Sequence, residues 1–183
     1  MTDPKIKSPP QQLMRIHRLM EVSDSHLQAL AEVLIDCVVG GASVSFMHPL
    51  SQEKALAFWR VVAQGVAQSE RALLVAEDET GIVGTVQLIL AQPENQPHRA
   101  DLAKMLVHRR ARRQGLGEAL MQAAETEARA CGKTLLMLDT TVGMDAERLY
   151  TRLGWQRFGE VPGHALLAHG GLSDTAFFYR ALS

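Results

Sequence analysis

Cysteine is scarce: Cys37 and Cys131 stand far apart and no CxxC occurs. That excludes a zinc ribbon and a disulfide framework. Both thiols fall on apolar helical stretches, where a free cysteine packs as a small hydrophobe. Net charge is nearly absent, at −1 from 19 Lys+Arg against 20 Asp+Glu, so nothing draws the chain generally to nucleic acid or to an anionic membrane. No apolar run approaches the roughly 18 residues of a spanning helix. The polar stretch Met1 to Gln12, with Pro4, Pro9 and Pro10, lacks the apolar region of a signal peptide and reads as a flexible leader. The seven histidines show no metal-ligand spacing, and no metal is expected. A soluble, cytoplasmic protein follows from these absences.

What is present is an apolar fraction of 46% against 21% charged residues, enough for one domain with its own core over 13–183. Leu13 to Met20 alternates as a strand would. Ser23 or Asp24 can cap a helix carrying Leu27, Leu30, Ala31, Leu34 and Val38, ended by Gly40-Gly41. Ser51 caps a second helix with Leu56, Trp59 and Val62 inward. Ala72–Ala76 and Ile82–Ala91 read as strands around the turn Glu77 to Gly81, followed by a strand over Arg99–Val107. Gly115–Ala130 is helical, Leu135–Leu138 a short buried strand, and Ala146–Leu153 a short helix. Gln156–Val161 and Ala176–Ala181 are the last strands, with His164 and His169 in the loop before the final one. The order β-α-α-β-β-β-α-β-α-β-β predicts an α/β or α+β domain on a central mixed sheet flanked by helices.

The most informative segment is Arg112-Arg113-Gln114-Gly115-Leu116-Gly117, after a strand and opening a helix. Glycines let a ligand approach the backbone, and a helix N-terminus offers free amides and a positive dipole end to a pyrophosphate. Arg109, Arg110, Arg112 and Arg113 add positive charge nearby. A phosphate loop of the G-x4-GK[ST] kind is excluded by the missing Lys-Ser/Thr. A dinucleotide fingerprint is excluded because no third glycine follows Gly115-x-Gly117.

Arg112-x-x-Gly115-x-Gly117 resembles the Q/R-x-x-G-x-G/A signature of the GNAT acetyltransferase superfamily. Ala146-x-x-Leu149-Tyr150-x-x-x-Gly154-Trp155 resembles that family's second signature, A-x-x-L-Y-x-x-x-G-(F/W/Y). The order of elements is similar from Leu13 to Leu182. The resemblance implies the GNAT fold and acetyl-CoA as cosubstrate, with the amides of Arg113, Gln114, Gly115, Leu116 and Gly117 around the CoA pyrophosphate. It implies that Met105, Leu106 and Val107 form the strand that pairs with the pantetheine arm. The amide of Met105 or Val107 would then stabilise the oxyanion, and Tyr150 would serve the departing thiolate. Asp101, at the offset of the family's glutamate base, and Asp139, on the neighbouring strand, are the acids expected to serve the amine. By two-residue alternation Asp101, Ala103, Met105 and Val107 share one strand face. Each of the three also has an ordinary reading: a core aromatic for Tyr150, a solvent-facing edge acid for Asp101, a turn cap for Asp139.

A narrower likeness links Gly40–Met47, Lys104–Val107 and Leu136–Thr140 to tabtoxin-resistance acetyltransferases, which act on an amino-acid-like toxin. It makes Ser43, Phe46 and Met47 candidates for the acceptor pocket. Many relatives carry an asparagine where Gly143 stands here, so the resemblance implies either weaker CoA binding or a different support at that point. The expected activity is acetyl transfer to a small amine or amino-acid-like compound in a ternary complex, in the manner of antibiotic or toxin detoxification. Its rivals are acetylation of a protein N-terminus or lysine, and a CoA-binding regulatory module without turnover. Acetyl-CoA and a small-molecule amine are the expected partners, with no nucleic acid and no membrane, and a homodimer is left open.

Overall fold

A computed structural model describes residues 14–182; the segment read as a leader, with Leu13, lies outside the described residues. Strand β1 (Arg15–Leu19) is followed by helices α1 (Asp24–Val39) and α2 (Gln52–Ala67). Both start as the sequence predicts. The Ser23 hydroxyl accepts from the His26 amide at 3.2 Å while the His26 ring accepts from the Ser23 amide at 3.2 Å. The Ser51 hydroxyl takes the Lys54 amide at 3.2 Å. Such caps satisfy amides that have no partner in the first helical turn. Strands β2 (Arg71–Asp78), β3 (Gly81–Ile89) and β4 (Arg99–Val107) come next, then a 3-10 turn (Arg109–Ala111) and α3 (Leu116–Ala130). The chain closes with β5 (Leu135–Thr141), α4 (Asp145–Arg152), β6 (Gln156–Leu166) and β7 (Leu172–Ala181).

The strands form one seven-stranded mixed sheet in the order β1-β2-β3-β4-β5-β7-β6, the α/β mixed sheet that the sequence predicts. Only β4 and β5 run parallel among its neighbours. Each face carries its own core. On one, Leu116, Leu120, Met121 and Ala124 of α3 meet Leu74, Val86, Leu102, Leu136 and Leu138, with Tyr150 and Trp155 closing the end. On the other, Leu30, Leu34, Trp59 and Val62 of α1 and α2 cover Leu73, Val75 and Leu106. Burying these apolar side chains at roughly 25 cal/mol per Å² is the main force holding the layers together.

Two departures from the sequence reading matter. The last two strands extend into a hairpin whose turn lies near Gly170, so His164 sits within β6 rather than in a loop. β6 is an edge strand whose residues are mostly exposed, so it shows no apolar alternation. Pro162 and Gly163 lie where its register shifts, a place an edge strand tolerates. The second departure is a bulge in β4. Thr85 pairs with Leu106 but Gln87 pairs with Ala103, so β4 holds one residue more than its partner. Lys104 absorbs it with φ 51°.

Candidate active site

The bulge decides which face each β4 residue serves. Ala100 and Leu102 pack with α3; beyond Lys104 the parity reverses, so Met105 and Val107 take the α3 face and Leu106 the α1–α2 face. Asp101 therefore does not share a face with Met105 and Val107, contrary to simple alternation. It lies with Ala103 on the opposite side, paired with Arg99 at 3.3 Å and accepting from Gln92 Nε2 at 3.2 Å. It is not part of the cleft wall described next.

β4 and β5 pair only over Arg99–Asp101 with Leu135–Met137. Past that point they splay, and a cleft of about 840 Å³ opens between them. Its walls are β4 from Leu102 to Val107, the loop from Ala111 to Arg113, the start of α3, the end of β5 and the first turns of α4. The His108 amide donates to Val83 of β3 at 2.8 Å. By strand alternation the main-chain groups of Met105 and Val107 then face the other edge, where β5 has veered away. The Val107 carbonyl is taken by Arg112 Nε at 3.0 Å.

At one end the loop into α3 is shaped for an anion. Arg113 and Gly115 both adopt left-handed backbone, φ 59° and 79°. Gly115 caps the helix without any side-chain hydrogen bond, which leaves the first amides free for a ligand. The arginines divide their work. Arg109 pairs with Asp36 and Arg110 with Asp78, so both are tied into the scaffold. Arg112 joins the loop to β4 and lies 3.8 Å from the Cys37 sulfur; burial pushes that thiol's pKa up. Arg113, Arg148 and Arg152 line the cleft. Arg148, Arg113 and Arg112 hold the exposed Asp145 carboxyl below its ordinary pKa, Arg148 most strongly. Gln114 turns back to the Arg110 carbonyl at 3.3 Å and does not line the cleft. Gly143 does line it, at φ 80°, with its amide held by Glu147 at 2.6 Å.

At the splay point Tyr150 and Asp139 both line the cleft. The Tyr150 ring is fixed against Trp155 and Phe178, with centroids 6.1 Å away in each case. Burial pushes its phenol pKa well above the ordinary value, and the Asp139 charge adds to the effect. Asp139 sits on β5 opposite Phe177, exposed to the cleft. Of the predicted pocket residues, Ser43 lines the cleft and donates to the Leu166 carbonyl at 3.4 Å. Phe46 instead packs edge-on against Phe58 at 5.3 Å, and Met47 is 41% exposed; neither reaches the wall. The α1–α2 loop is also held by His48, whose amide donates to Ala168 at 2.8 Å and whose ring lies tilted against that of His169 with centroids 4.6 Å apart. The sequence reading missed Ser45 and Lys104. The signals for Lys104 were a cation among the apolar residues of the second half of β4 and its place in the Lys104–Val107 likeness.

Residues 27–155 match the model of the acetyltransferase (GNAT) family. The chain belongs to this family. It is 31% identical over 126 residues to an uncharacterized N-acetyltransferase in the hisH-hisA intergenic region of Azospirillum brasilense, covering 68% of this chain and 73% of the relative. Its fold is similar to that of an N-acetyltransferase from Staphylococcus aureus Mu50, with a TM-score of 0.77 at 17% identity over 93% of this chain and 99% of that one. It is also similar to that of yncA of Salmonella typhimurium solved with its cofactor acetyl-CoA, with a TM-score of 0.74 at 20% identity over 93% of this chain and 94% of that one.

As a GNAT N-acetyltransferase the protein uses acetyl-CoA as its cosubstrate. The cleft fits that ligand: uncapped amides at the start of α3 suit a pyrophosphate, and the unpaired edge of β4 suits an amide-bearing arm. Among the described residues no group of three or more His, Cys, Asp or Glu could hold a metal ion. No helix among them is long and apolar enough to cross a membrane.

Proposed function

We propose that this acetyltransferase moves the acetyl group directly from acetyl-CoA to the amine of a small, amino-acid-like molecule bound in the same cleft. The observation that carries the reading is the meeting of three features at the splay of β4 and β5: an unpaired strand edge, the Tyr150 phenol and the Asp139 carboxylate. The thioester lies along β4, where the Met105 or Val107 amide donates to the oxyanion that forms as the amine attacks. Asp139 attracts the incoming ammonium and takes its proton directly or through water, since only the neutral amine is a nucleophile. The carbon–sulfur bond then breaks and its electron pair goes to sulfur. A free phenol titrates near ~10 and a thiol near ~8.5, and burial raises Tyr150 further. Tyr150 therefore acts as a hydrogen-bond donor to the thiolate rather than surrendering its proton outright.

The likeness of Gly40–Met47 to tabtoxin-resistance acetyltransferases supports an amino-acid-like acceptor and a detoxifying role in the cytoplasm. Asp101 is given no part in proton transfer, because Arg99 and Gln92 already engage it away from the cleft wall. Paired variants test this. Asp139→Asn is expected to lower turnover by roughly 10²–10⁴-fold with acetyl-CoA affinity retained, partly rescued as rising pH supplies neutral amine. Asp101→Asn is expected to act mainly on stability. Turnover lost in Asp101→Asn and retained in Asp139→Asn would reverse the assignment.

A further inference from the structure

Besides Arg113 in the anion loop, two non-glycine residues lining the cleft hold left-handed backbone. Ser45, in the α1–α2 loop, has φ 71°, and Lys104, in the β4 bulge, φ 51°. Non-glycine residues keep such conformations only where their surroundings fix them, and they gather at functional sites. The two meet across the cleft: Lys104 Nζ donates to Ser45 Oγ at 3.3 Å and lies 5.5 Å from the centre of the Phe58 ring. Both Ser45 and Lys104 line the cavity.

The charges around them do not balance. A hydroxyl and an aromatic face are the groups that touch the half-buried ammonium, and among the described residues no carboxylate forms an ion pair with it. Asp139 acts on it only through space, and the positive charge of Arg71 works in the other direction. Arg71 donates to the neutral amide of buried Gln87 at 2.7 Å. By contrast Arg99, Arg109 and Arg110 are each matched by an aspartate. Among the described residues, this end of the cleft thus holds one cation without an ion-pair partner, Lys104, and one carboxylate without one, Asp139, while Arg71 adds positive charge from outside the lining. Burial penalises the charged form of Lys104, and an anion seated beside it would relieve that penalty.

We infer that Lys104, steadied by Ser45, anchors an acidic group of the acceptor, whose amine is received by Asp139. The acceptor class is then a zwitterion, an amino acid or close analogue with its carboxylate one short spacer from the reacting nitrogen. A polyamine brings a second cation toward Lys104 and is repelled. A peptide N-terminus offers a neutral amide where the anchor needs an anion. This inference rests on the proposed acetyl transfer and adds a specificity residue to it.

The test uses L-amino acids and their carboxamides as matched acceptors, compared at equal neutral-amine concentration, with CoA release followed by a thiol reagent. Acids should exceed their carboxamides at least about tenfold in kcat/KM. Lys104→Met, which keeps length and removes charge, should bring acids down to the carboxamide level through a rise in KM of roughly 10–100-fold. Lys104→Arg should keep part of the preference. Melting curves and acetyl-CoA calorimetry establish that the variants fold; should Lys104→Met not fold, Ser45→Ala is read instead, with a several-fold rise in KM for acids alone. Equal use of acids and carboxamides by the wild type, or a preference that survives Lys104→Met, overturns the anchor. A protein that binds acetyl-CoA but acetylates no amino acid overturns it too, and leaves the acetyltransferase reading standing. Failure to bind acetyl-CoA instead brings down the assignment of the cleft itself.

Discussion

Replacing Tyr150 by phenylalanine removes one oxygen and leaves its packing in place. The ring is wedged between Trp155 and Phe178, both 6.1 Å away by centroid, and is 5% exposed. No protein group among the described residues is hydrogen-bonded to its hydroxyl, so the substitution orphans no buried partner. Folding stability should change by no more than about 1 kcal/mol, whereas Tyr150→Ala would open a cavity costing about 3–5 kcal/mol. The catalytic effect should be much larger. A donor aimed at developing charge in a dry site contributes roughly 10²–10³ in kcat, about 2.7–4 kcal/mol. The assay is steady-state CoA release beside calorimetry of acetyl-CoA. The expected result is a hundredfold or greater fall in kcat with an unchanged dissociation constant. A loss that appears wholly in acetyl-CoA affinity, with kcat retained, would make Tyr150 a packing residue and refute the reasoning. The raised phenol pKa adds a second signature. Its folded value lies above the unfolded ~10, so its contribution is complete below about pH 10 and is lost as pH climbs beyond that. Thermal melts should show this alkaline loss diminished in Tyr150→Phe.

Gly115→Val forces a branched residue to φ 79°, which should cost about 1–2 kcal/mol of stability. The displaced loop should weaken acetyl-CoA at least about tenfold by calorimetry, near 1.4 kcal/mol; unchanged affinity in the folded variant would remove the anion site from this loop. Lys104→Met should melt no lower than wild type at neutral pH, because burial disfavours the ammonium it removes. That advantage should shrink as pH rises through the lowered lysine pKa, where the wild-type side chain becomes neutral.

Much of this arrangement is written locally in the chain. Ser23 and Ser51 mark two helix starts, and Gly115 marks a third through its backbone freedom. Tyr150 and Asp139 reach the cleft because short-range periodicity puts them on α4 and at the end of β5. What escaped depends on pairing between strands. The extra residue at Lys104 is defined only by the register of β3 against β4, and it moves Asp101 to the face opposite Met105. The fates of Arg109 and Arg110 were hidden for the same reason. A run of arginines reads as one positive patch until Asp36 and Asp78, 73 and 32 residues away, each claim one. The length of β6 was obscured because an edge strand facing solvent has no apolar face to display.

The loop that supplies Ser43 and Ser45 does not hold its own shape. It is clasped by the tip of the β6–β7 hairpin, through Ser43 to Leu166, His48 to Ala168 and His169 to the Val39 carbonyl at 3.2 Å. The Ser43 and His169 links join residues 123 and 130 positions apart in sequence. This part of the cleft wall, proposed above for the acceptor, is therefore a composite of two distant segments and must be inherited or exchanged as a unit. A graft of residues 40–49 from a relative arrives without its clasp unless residues 166–171 travel with it. Drift at the hairpin tip, which touches no reacting atom, gives such an enzyme a route to new acceptors while the acetyl-CoA half stays as it is.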